Sequence, residues 1–331
     1  MLQLQNQRKS SAWPSLIARC FVSCNMVLLT QFALSLVPRY FSASSSLLPQ
    51  LSLSALVLLV VMGLGGWFRR LLGIHASAPA FVFFNILFIW CFYVFIIRKA
   101  VSLVMDIVFN GEVSMLVFGL CSILKSDPGV VRHAPSLSDK PTEGTVSELN
   151  NQDEELELST SGLGHESTED SVLGRRVRYC SSCSAYIKGF DHHCPAFGNC
   201  IGQKNYLLFM ALLIGFIVTE ASFLACSSEY TTKFRISRRH SSETILSERL
   251  AVSSRIFAIL QLVWQVPFLT WHAYCICFNI RTDEWINWNK YPEFQLIMQH
   301  QPGHGSTEVW FTNPYDRGIL QNVKEFLSSK G

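Results

Sequence analysis

The chain has 331 residues, of which 15% are charged and 49% hydrophobic, with a formal net charge of +3. Soluble domains carry about 25% charged residues, so this composition and a mean hydropathy of +0.26 argue against an ordinary soluble domain. The small net charge decides little, but no stripe of basic residues runs along the chain, and no nucleic-acid partner is expected.

A bilayer-spanning helix needs roughly 17–25 mostly apolar residues. Six runs qualify, at about 14–37, 51–68, 79–97, 101–124, 206–227 and 255–279. The expected fold class is an all-α polytopic membrane protein, with about four helices in 1–124 and two in 206–279. The third run, "PAFVFFNILFIWCFYVFII", has no charge, and the fifth holds only Glu220. The first contains Arg19, and the fourth contains Asp106 and Glu112. The fourth is alternatively an interfacial helix, which would leave five spans. The first lacks a clear small-residue cleavage site and precedes further spans, so it reads as a span rather than a signal peptide. The pairs Arg69-Arg70 and Arg98-Lys99 flank apolar runs, as charges at membrane helix ends do.

Residues 125–174 follow the fourth run. From Asp139 to Asp170 they are rich in Ser, Thr, Gly, Glu and Asp and nearly free of aromatics. Such a composition cannot bury enough apolar surface to offset ordering entropy, so a disordered linker is expected. At 175–205 the chain becomes basic, aromatic and cysteine-rich: "RRVRYCSSCSAYIKGFDHHCPAFGNCIGQKN". A segment this short needs a metal, disulfides or a partner to fold. Cys-x2-Cys followed closely by His and Cys is zinc-ligand spacing, and disulfides are disfavoured if the segment is cytosolic.

Six residues compete for four tetrahedral positions: Cys180, Cys183, His192, His193, Cys194 and Cys200. In extended backbone, neighbouring side chains point to opposite faces, so His192 and Cys194 share one face and His193 takes the other. Choosing His193 and Cys200 completes a Cys3His set with Cys180 and Cys183. It leaves an imidazole beside a thiol, the pairing that generates a thiolate nucleophile. Asp191 would fix the tautomer of His192, as in hydrolase triads, and the reaction class would be acyl transfer through a thioester. The alternatives are that all six residues ligate metal, or that His192 is a solvated loop residue.

"FDHHCPAFGNCIGQKNY", Phe190 to Tyr206, resembles the signature of the DHHC-type protein S-acyltransferases, or palmitoyltransferases. "DPG" at Asp127 to Gly129 matches a family tripeptide before the insert. "RTDE" at Arg281 to Glu284 resembles the Thr-Thr-x-Glu motif after the last span. "NPYDRGILQNVKEF", Asn313 to Phe326, resembles the C-terminal motif, with matching Asn313, Tyr315 and Gly318. The resemblance implies a membrane helical bundle with a zinc-stapled cytosolic module at 175–205 and a cytosolic C-terminal segment at 280–331. It implies a two-step reaction in which Cys194 takes a fatty acyl group from acyl-coenzyme A and passes it to a cysteine of a membrane-associated substrate protein. Carried over, Cys194 is the nucleophile, His192 the base and Asp191 its orienting group. Cys180, Cys183, His193 and Cys200 are zinc ligands, Thr282 and Glu284 pack near the catalytic module, and Asn313 and Tyr315 anchor the C-terminal segment.

Four departures from the family pattern stand out. Tyr179 and Tyr186 occupy places where the family has ligands of a second zinc, and the upstream Cys-x2-Cys is absent. One zinc is therefore expected, with Val177, Tyr179 and Tyr186 as an apolar substitute for the other. Ala196 replaces the usual Trp, Arg281 replaces the first Thr of its motif, and the first two spans lie outside the usual four-span core. Arg175, Arg176, Arg178, Lys188 and Lys204 are candidate partners for coenzyme A phosphates, with headgroup-facing charge as the alternative. Phe68, Phe92 and Tyr93 are candidates to line an acyl cavity. The expected location is a multi-pass position in the endomembrane system (Golgi or ER) or the plasma membrane, with the module cytosolic. Positive-inside counting agrees at Arg8, Lys9, Arg69 and Arg70 but not at Arg98-Lys99 or "KFRISRRH". The competing readings are a non-catalytic zinc-binding scaffold and, behind it, a transporter carrying a metal loop.

Overall fold

The computed structural model describes residues 2–41, 46–131, 176–237, 242–298 and 308–328. Most of the expected linker, 132–174, and Arg175 lie outside the described residues. Among the described residues, six helices are long and apolar enough to cross a membrane: α1 (Leu2–Leu36), α2 (Leu47–Leu71), α3 (Ala78–Phe92), α4 (Leu103–Lys125), α5 (Tyr206–Ser237) and α6 (Ser242–Cys277). The protein is a multi-pass membrane protein, and α4 is among the spans. A π turn at Tyr93–Ile97 and a 3-10 turn at Arg98–Ala100 carry the third span on to Ala100.

Charges inside a bilayer are tolerated when they are paired, and Asp106 of α4 is. The Asp106 carboxylate accepts from Tyr93 Oη (3.0 Å), Arg98 Nε (3.1 Å) and Asn110 Nδ2 (2.9 Å). Glu112 accepts from Ser222 Oγ at 3.0 Å. Lys233 Nζ donates to the Ala100 carbonyl at 2.5 Å. Two of the basic residues that run against positive-inside counting, Arg98 and Lys233, therefore have internal partners.

One apolar cluster joins Leu116, Leu120 and Ile123 of α4 to Phe209 and Leu212 of α5 and to Cys194, Phe197 and Ile201. A second surrounds Tyr93, Phe109, Phe223 and Ala258. Ser23 of α1 both donates to the Ser77 carbonyl (2.8 Å) and accepts from its N–H (3.0 Å), fixing α1 at the start of α3. Much of the apolar surface of α2 faces outward, including Leu59, Leu64 and Phe68.

The cysteine-rich module sits where α4 ends, α5 begins and α6 ends. β1 (Val130–Val131), β3 (Ala185–Lys188) and β2 (Val177–Cys180) form an antiparallel sheet in that order. β4 (His192–Cys194) and β5 (Asn199–Ile201) form a hairpin. The short helix α7 (Thr282–Asn287), the hairpin β6 (Gln295–Met298)–β7 (Glu308–Phe311) and α8 (Ile319–Ser328) follow the last span.

Side-chain amides bind the module to the bundle. Asn199 Nδ2 donates to the carbonyls of Ile123 and Ser126, both at 2.9 Å, and so satisfies the end of α4. Asn205 donates to Cys200 O (2.9 Å) and Ser126 Oγ (3.1 Å). Asp127 closes an Asx turn on the N–H groups of Gly129 (2.8 Å) and Val130 (2.9 Å). Where these segments cross, a Cβ on Gly202 would lie 2.4 Å from the Pro128 carbonyl oxygen, so only glycine fits.

Candidate active site

The β4–β5 hairpin divides the two histidines. Its register opposes His193 to Cys200 and Cys194 to Asn199. His193 and Cys200 therefore project to one face, and His192 and Cys194 to the other. The turn after Cys180 brings Cys183 back beneath the first face. There His193 Nδ1 lies 3.4 Å from Cys183 Sγ, 3.6 Å from Cys200 Sγ and 3.9 Å from Cys180 Sγ, and the Cys183 and Cys200 sulfurs are 3.3 Å apart. All four ligand atoms lie within 4.8 Å of one another. Zinc–sulfur bonds of about 2.3 Å and zinc–nitrogen bonds of about 2.0 Å set tetrahedral ligand separations of about 3.5–3.8 Å. The cluster fits that set. Burial pushes the Cys200 thiol well up, and the sulfurs of Cys183 and Cys180 push it the same way. A divalent cation is what allows such thiols to ionise together.

On the second face, His192 Nδ1 lies 2.7 Å from Asp191 Oδ2. Burial alone would push the imidazole down, but its hydrogen bonds to Asp191 and to the Cys194 sulfur raise it to about 9. Burial likewise opposes ionisation of Asp191, which has no exposed surface, yet the hydrogen bond and charge of His192 hold it below the usual carboxylate range. Asp191, His192 and Cys194 therefore stand together as a carboxylate, an imidazole and a thiol.

Asp191 is held from the far side by the chain after the last span. The Thr282 N–H donates to Asp191 Oδ1 at 3.0 Å, and the Asp283 N–H donates to the Asp191 carbonyl at 3.1 Å. Glu284 accepts a bidentate pair from Arg176 at 2.7 and 2.6 Å and also bonds the Arg281 N–H at 2.8 Å. Arg176 further donates to Asn279 Oδ1 (2.8 Å) and lies 3.9 Å over the Tyr315 ring. Asn313 Nδ2 donates to the Phe278 carbonyl at 2.6 Å, and Asn279 Nδ2 donates to the Tyr315 carbonyl at 3.1 Å. The RTDE and C-terminal motifs thus converge on one joint behind the hairpin.

The basic candidates fall into two groups. Arg176 is committed to Glu284, and Arg178 pairs with Glu293 at 2.6 Å while stacking on Tyr291 at 3.8 Å. Lys204 is half-exposed, 3.1 Å from Asp127, and Lys188 is half-buried on β3. Tyr179 and Tyr186 form a cross-strand aromatic pair, ring centroids 5.1 Å apart, next to Val177 in the same sheet. Tyr179 remains 55% exposed, so the pair is a surface contact rather than a buried plug.

His272 is a partner that the motifs do not mark. It is fully buried at the end of α6, with Nδ1 3.0 Å from Tyr206 Oη and 3.9 Å from Asp191 Oδ2. Its ring stands 5.6 Å from that of His192. The signal was available as an ionisable residue within an apolar span. The ligand atoms of Asp191, His192 and His272 also lie within 4.8 Å of one another. The 2.7 Å approach of His192 to Asp191 is nevertheless that of two atoms sharing a proton, shorter than two ligands of one ion keep.

Below Cys194 a cavity of about 250 Å³ opens between α3, α4, α5 and α6. Cys194, Ala196 and Phe197 form one end, and Phe209, Phe216 and Phe268 are in the wall. Ala196, standing where the resemblance expects Trp, is part of this lining. Of the three aromatics expected there, none lines it. Phe92 and Tyr93 are buried in the second apolar cluster, and Phe68 faces outward on α2.

A multi-pass helical bundle carrying a Cys3His cluster beside a Cys–His–Asp set delimits the class. Residues 163–289 match the family model of the DHHC palmitoyltransferases. Palmitoyltransferase Hip14 of Drosophila melanogaster is 28% identical over 72% of this chain and 35% of its own length. Human palmitoyltransferase ZDHHC17 is 26% identical over 61% of this chain and 30% of its own, and human ZDHHC18 is 29% identical over 33% and 28%. The chain spans about a third of the length of these curated relatives.

Proposed function

We propose that the protein transfers a fatty acyl group, typically palmitoyl, from acyl-coenzyme A to cysteines of membrane-associated substrate proteins. The observation that carries this reading is the placement of the Asp191–His192–Cys194 set at one end of an apolar cavity inside the membrane bundle. His192 takes the Cys194 proton, and Asp191 holds the resulting imidazolium. The thiolate attacks the thioester carbonyl. A carbon–sulfur bond forms to Cys194, the bond to coenzyme A breaks, and His192 returns the proton to the leaving sulfur. The substrate cysteine then repeats the exchange in the opposite sense, leaving Cys194 as a free thiol. The acyl chain stays in the cavity throughout, where each methylene kept from water contributes about 0.8 kcal/mol.

Cys180, Cys183, His193 and Cys200 would hold one structural zinc, whose part is to brace the hairpin that carries the nucleophile. We assign coenzyme A phosphates to Lys204 and Lys188, with Arg178, already seated on Tyr291 and Glu293, in a supporting role. Acyl-coenzyme A is a cytosolic donor, which puts the module on the cytosolic face of an endomembrane or of the plasma membrane. The family match does not favour the zinc-binding scaffold.

Purified full-length protein should incorporate label from radioactive palmitoyl-coenzyme A, and Cys194→Ser should incorporate none while keeping its metal. Metal loss in that variant would make Cys194 a ligand. Undiminished labelling would move the nucleophile elsewhere.

A further inference from the structure

The cavity below Cys194 is not uniformly apolar. α5 and α6 run antiparallel along it, and at Glu220 they meet in a polar pair in which Gln265 Nε2 donates to Glu220 Oε1 at 2.9 Å. Glu220 Oε2 and Gln265 Oε1 are buried and have no hydrogen-bond partner among the described residues, and the same is true of Asn85 Oδ1 on α3. The amide nitrogen of Asn85 is already committed to the Phe81 carbonyl at 2.9 Å. Glu220, Gln265 and Asn85 all line the cavity, and Gln265 is 5% exposed. Among the described residues no cation pairs with Glu220.

The depth of this cluster is set by helix geometry. Phe209, whose ring is 5.4 Å from that of His192, lies near the nucleophile. Glu220 follows eleven residues later on α5, about 16 Å further along at 1.5 Å per residue. The unpartnered oxygens of Glu220 and Gln265 therefore stand in the distal part of a space that otherwise suits hydrocarbon, and Asn85 Oδ1 stands on the α3 side of the same lining. A methylene chain offers them nothing, and unpaired buried acceptors are unfavourable. A hydroxyl group is the smallest donor that a long chain can bring to that depth.

We infer that Glu220, Gln265 and Asn85 form a subsite for an acyl chain hydroxylated near its far end, making an ω-hydroxyacyl thioester a preferred donor. This rests on the acyltransferase reading above. The hydroxyl donates to one of the three free oxygens, and the methylenes before it occupy the aromatic wall.

The test offers full-length protein, reconstituted in lipid, an equimolar mixture of palmitoyl-, α-hydroxypalmitoyl- and ω-hydroxypalmitoyl-coenzyme A. Intact-protein mass spectrometry reads which acyl group Cys194 carries. The ω-hydroxy chain is expected to exceed palmitoyl by about tenfold, the worth of one buried hydrogen bond. The α-hydroxy chain, whose hydroxyl stays beside the thioester, should gain nothing. In Glu220→Leu/Gln265→Leu the ratio of ω-hydroxy to palmitoyl should drop, and in Asn85→Leu/Glu220→Leu/Gln265→Leu, which removes every acceptor of the cluster, it should fall to within about twofold. The ratio is internal to each sample, so a general loss of activity does not disturb it. Equal loading in the wild type would overturn the inference and assign the oxygens to ordered water, and so would a preference that survives both variants. If no acyl group reaches Cys194 from any donor, the acyltransferase reading itself falls and the subsite falls with it.

Discussion

Glu284 is 2% exposed, and its carboxylate receives both a bidentate guanidinium from Arg176 and the Arg281 N–H. Removing one partner of a buried pair leaves the other uncompensated, at a cost of about 3–5 kcal/mol, whereas replacing both with apolar groups is often close to neutral. Glu284→Gln is therefore expected to lower the thermal midpoint of the detergent-solubilised protein substantially, and Arg176→Met/Glu284→Leu to recover much of that loss. A double variant no better than Glu284→Gln would mean that the acid acts through Arg281 and the start of α7 instead. The alternation that separates His192 and Cys194 from His193 was legible in sequence, because a strand's side-chain period is two whatever surrounds it. The Arg176–Glu284 bridge was not, since its partners are 108 residues apart and no local pattern marks the pair. The same holds for His272 and Asp191, and for Glu220 and Gln265.

Helices α4 and α5 meet the β4–β5 hairpin through amide side chains rather than apolar contacts alone. Asn199 is the clearest case, because one Nδ2 satisfies two carbonyls at the end of α4. Asn199→Ala leaves both without that donor and should cost about 1–3 kcal/mol. The expected readout is faster amide hydrogen exchange across 120–126 and across the hairpin, with exchange in the middle of α5 unchanged. Exchange unaltered at both places would mean that water replaces the amide without loss. The existence of the six long elements was readable from apolar runs, because length and composition alone determine whether a helix suits a bilayer. Their ends were less readable. α5 continues to Ser237 and α6 begins at Ser242, well outside the apolar runs, because helical hydrogen bonding persists beyond the hydrocarbon-like stretch. The order of β1, β3 and β2 was hidden for a different reason: β1 belongs to the DPG segment and pairs with a strand more than fifty residues later.

The molecule combines two kinds of cohesion. The spans satisfy their backbone internally, whereas the module of short strands depends on whatever holds Cys180, Cys183, His193 and Cys200 together. Metal analysis of purified protein should return about one zinc per chain, and a strong chelator should raise exchange throughout 176–205 while leaving the helical circular dichroism of the spans nearly intact. Acyl transfer should fall in parallel with metal content. A value near two would overturn the reading in which Tyr179 and Tyr186 stand in place of a second zinc site. Cooperative loss of helicity on chelation would show that the bundle depends on the module as much as the module depends on the metal.

Asp191 is gripped at Oδ1 by the main chain of Thr282, not by its side chain. A contact made by peptide nitrogen is indifferent to most substitutions and vulnerable to one. Thr282 opens α7, a position where proline is ordinarily welcome, and Arg281 before it already holds the extended φ of −94° and ψ of 153° that a following proline requires. Thr282→Pro should therefore preserve the turn while erasing the N–H that Asp191 Oδ1 accepts and the hydroxyl that Trp271 Nε1 reaches at 3.3 Å, lowering acyl transfer by more than its effect on the melting temperature accounts for. Variation at this position would then track tolerance of the side chain, while what Asp191 depends on is an atom that a row of letters does not display.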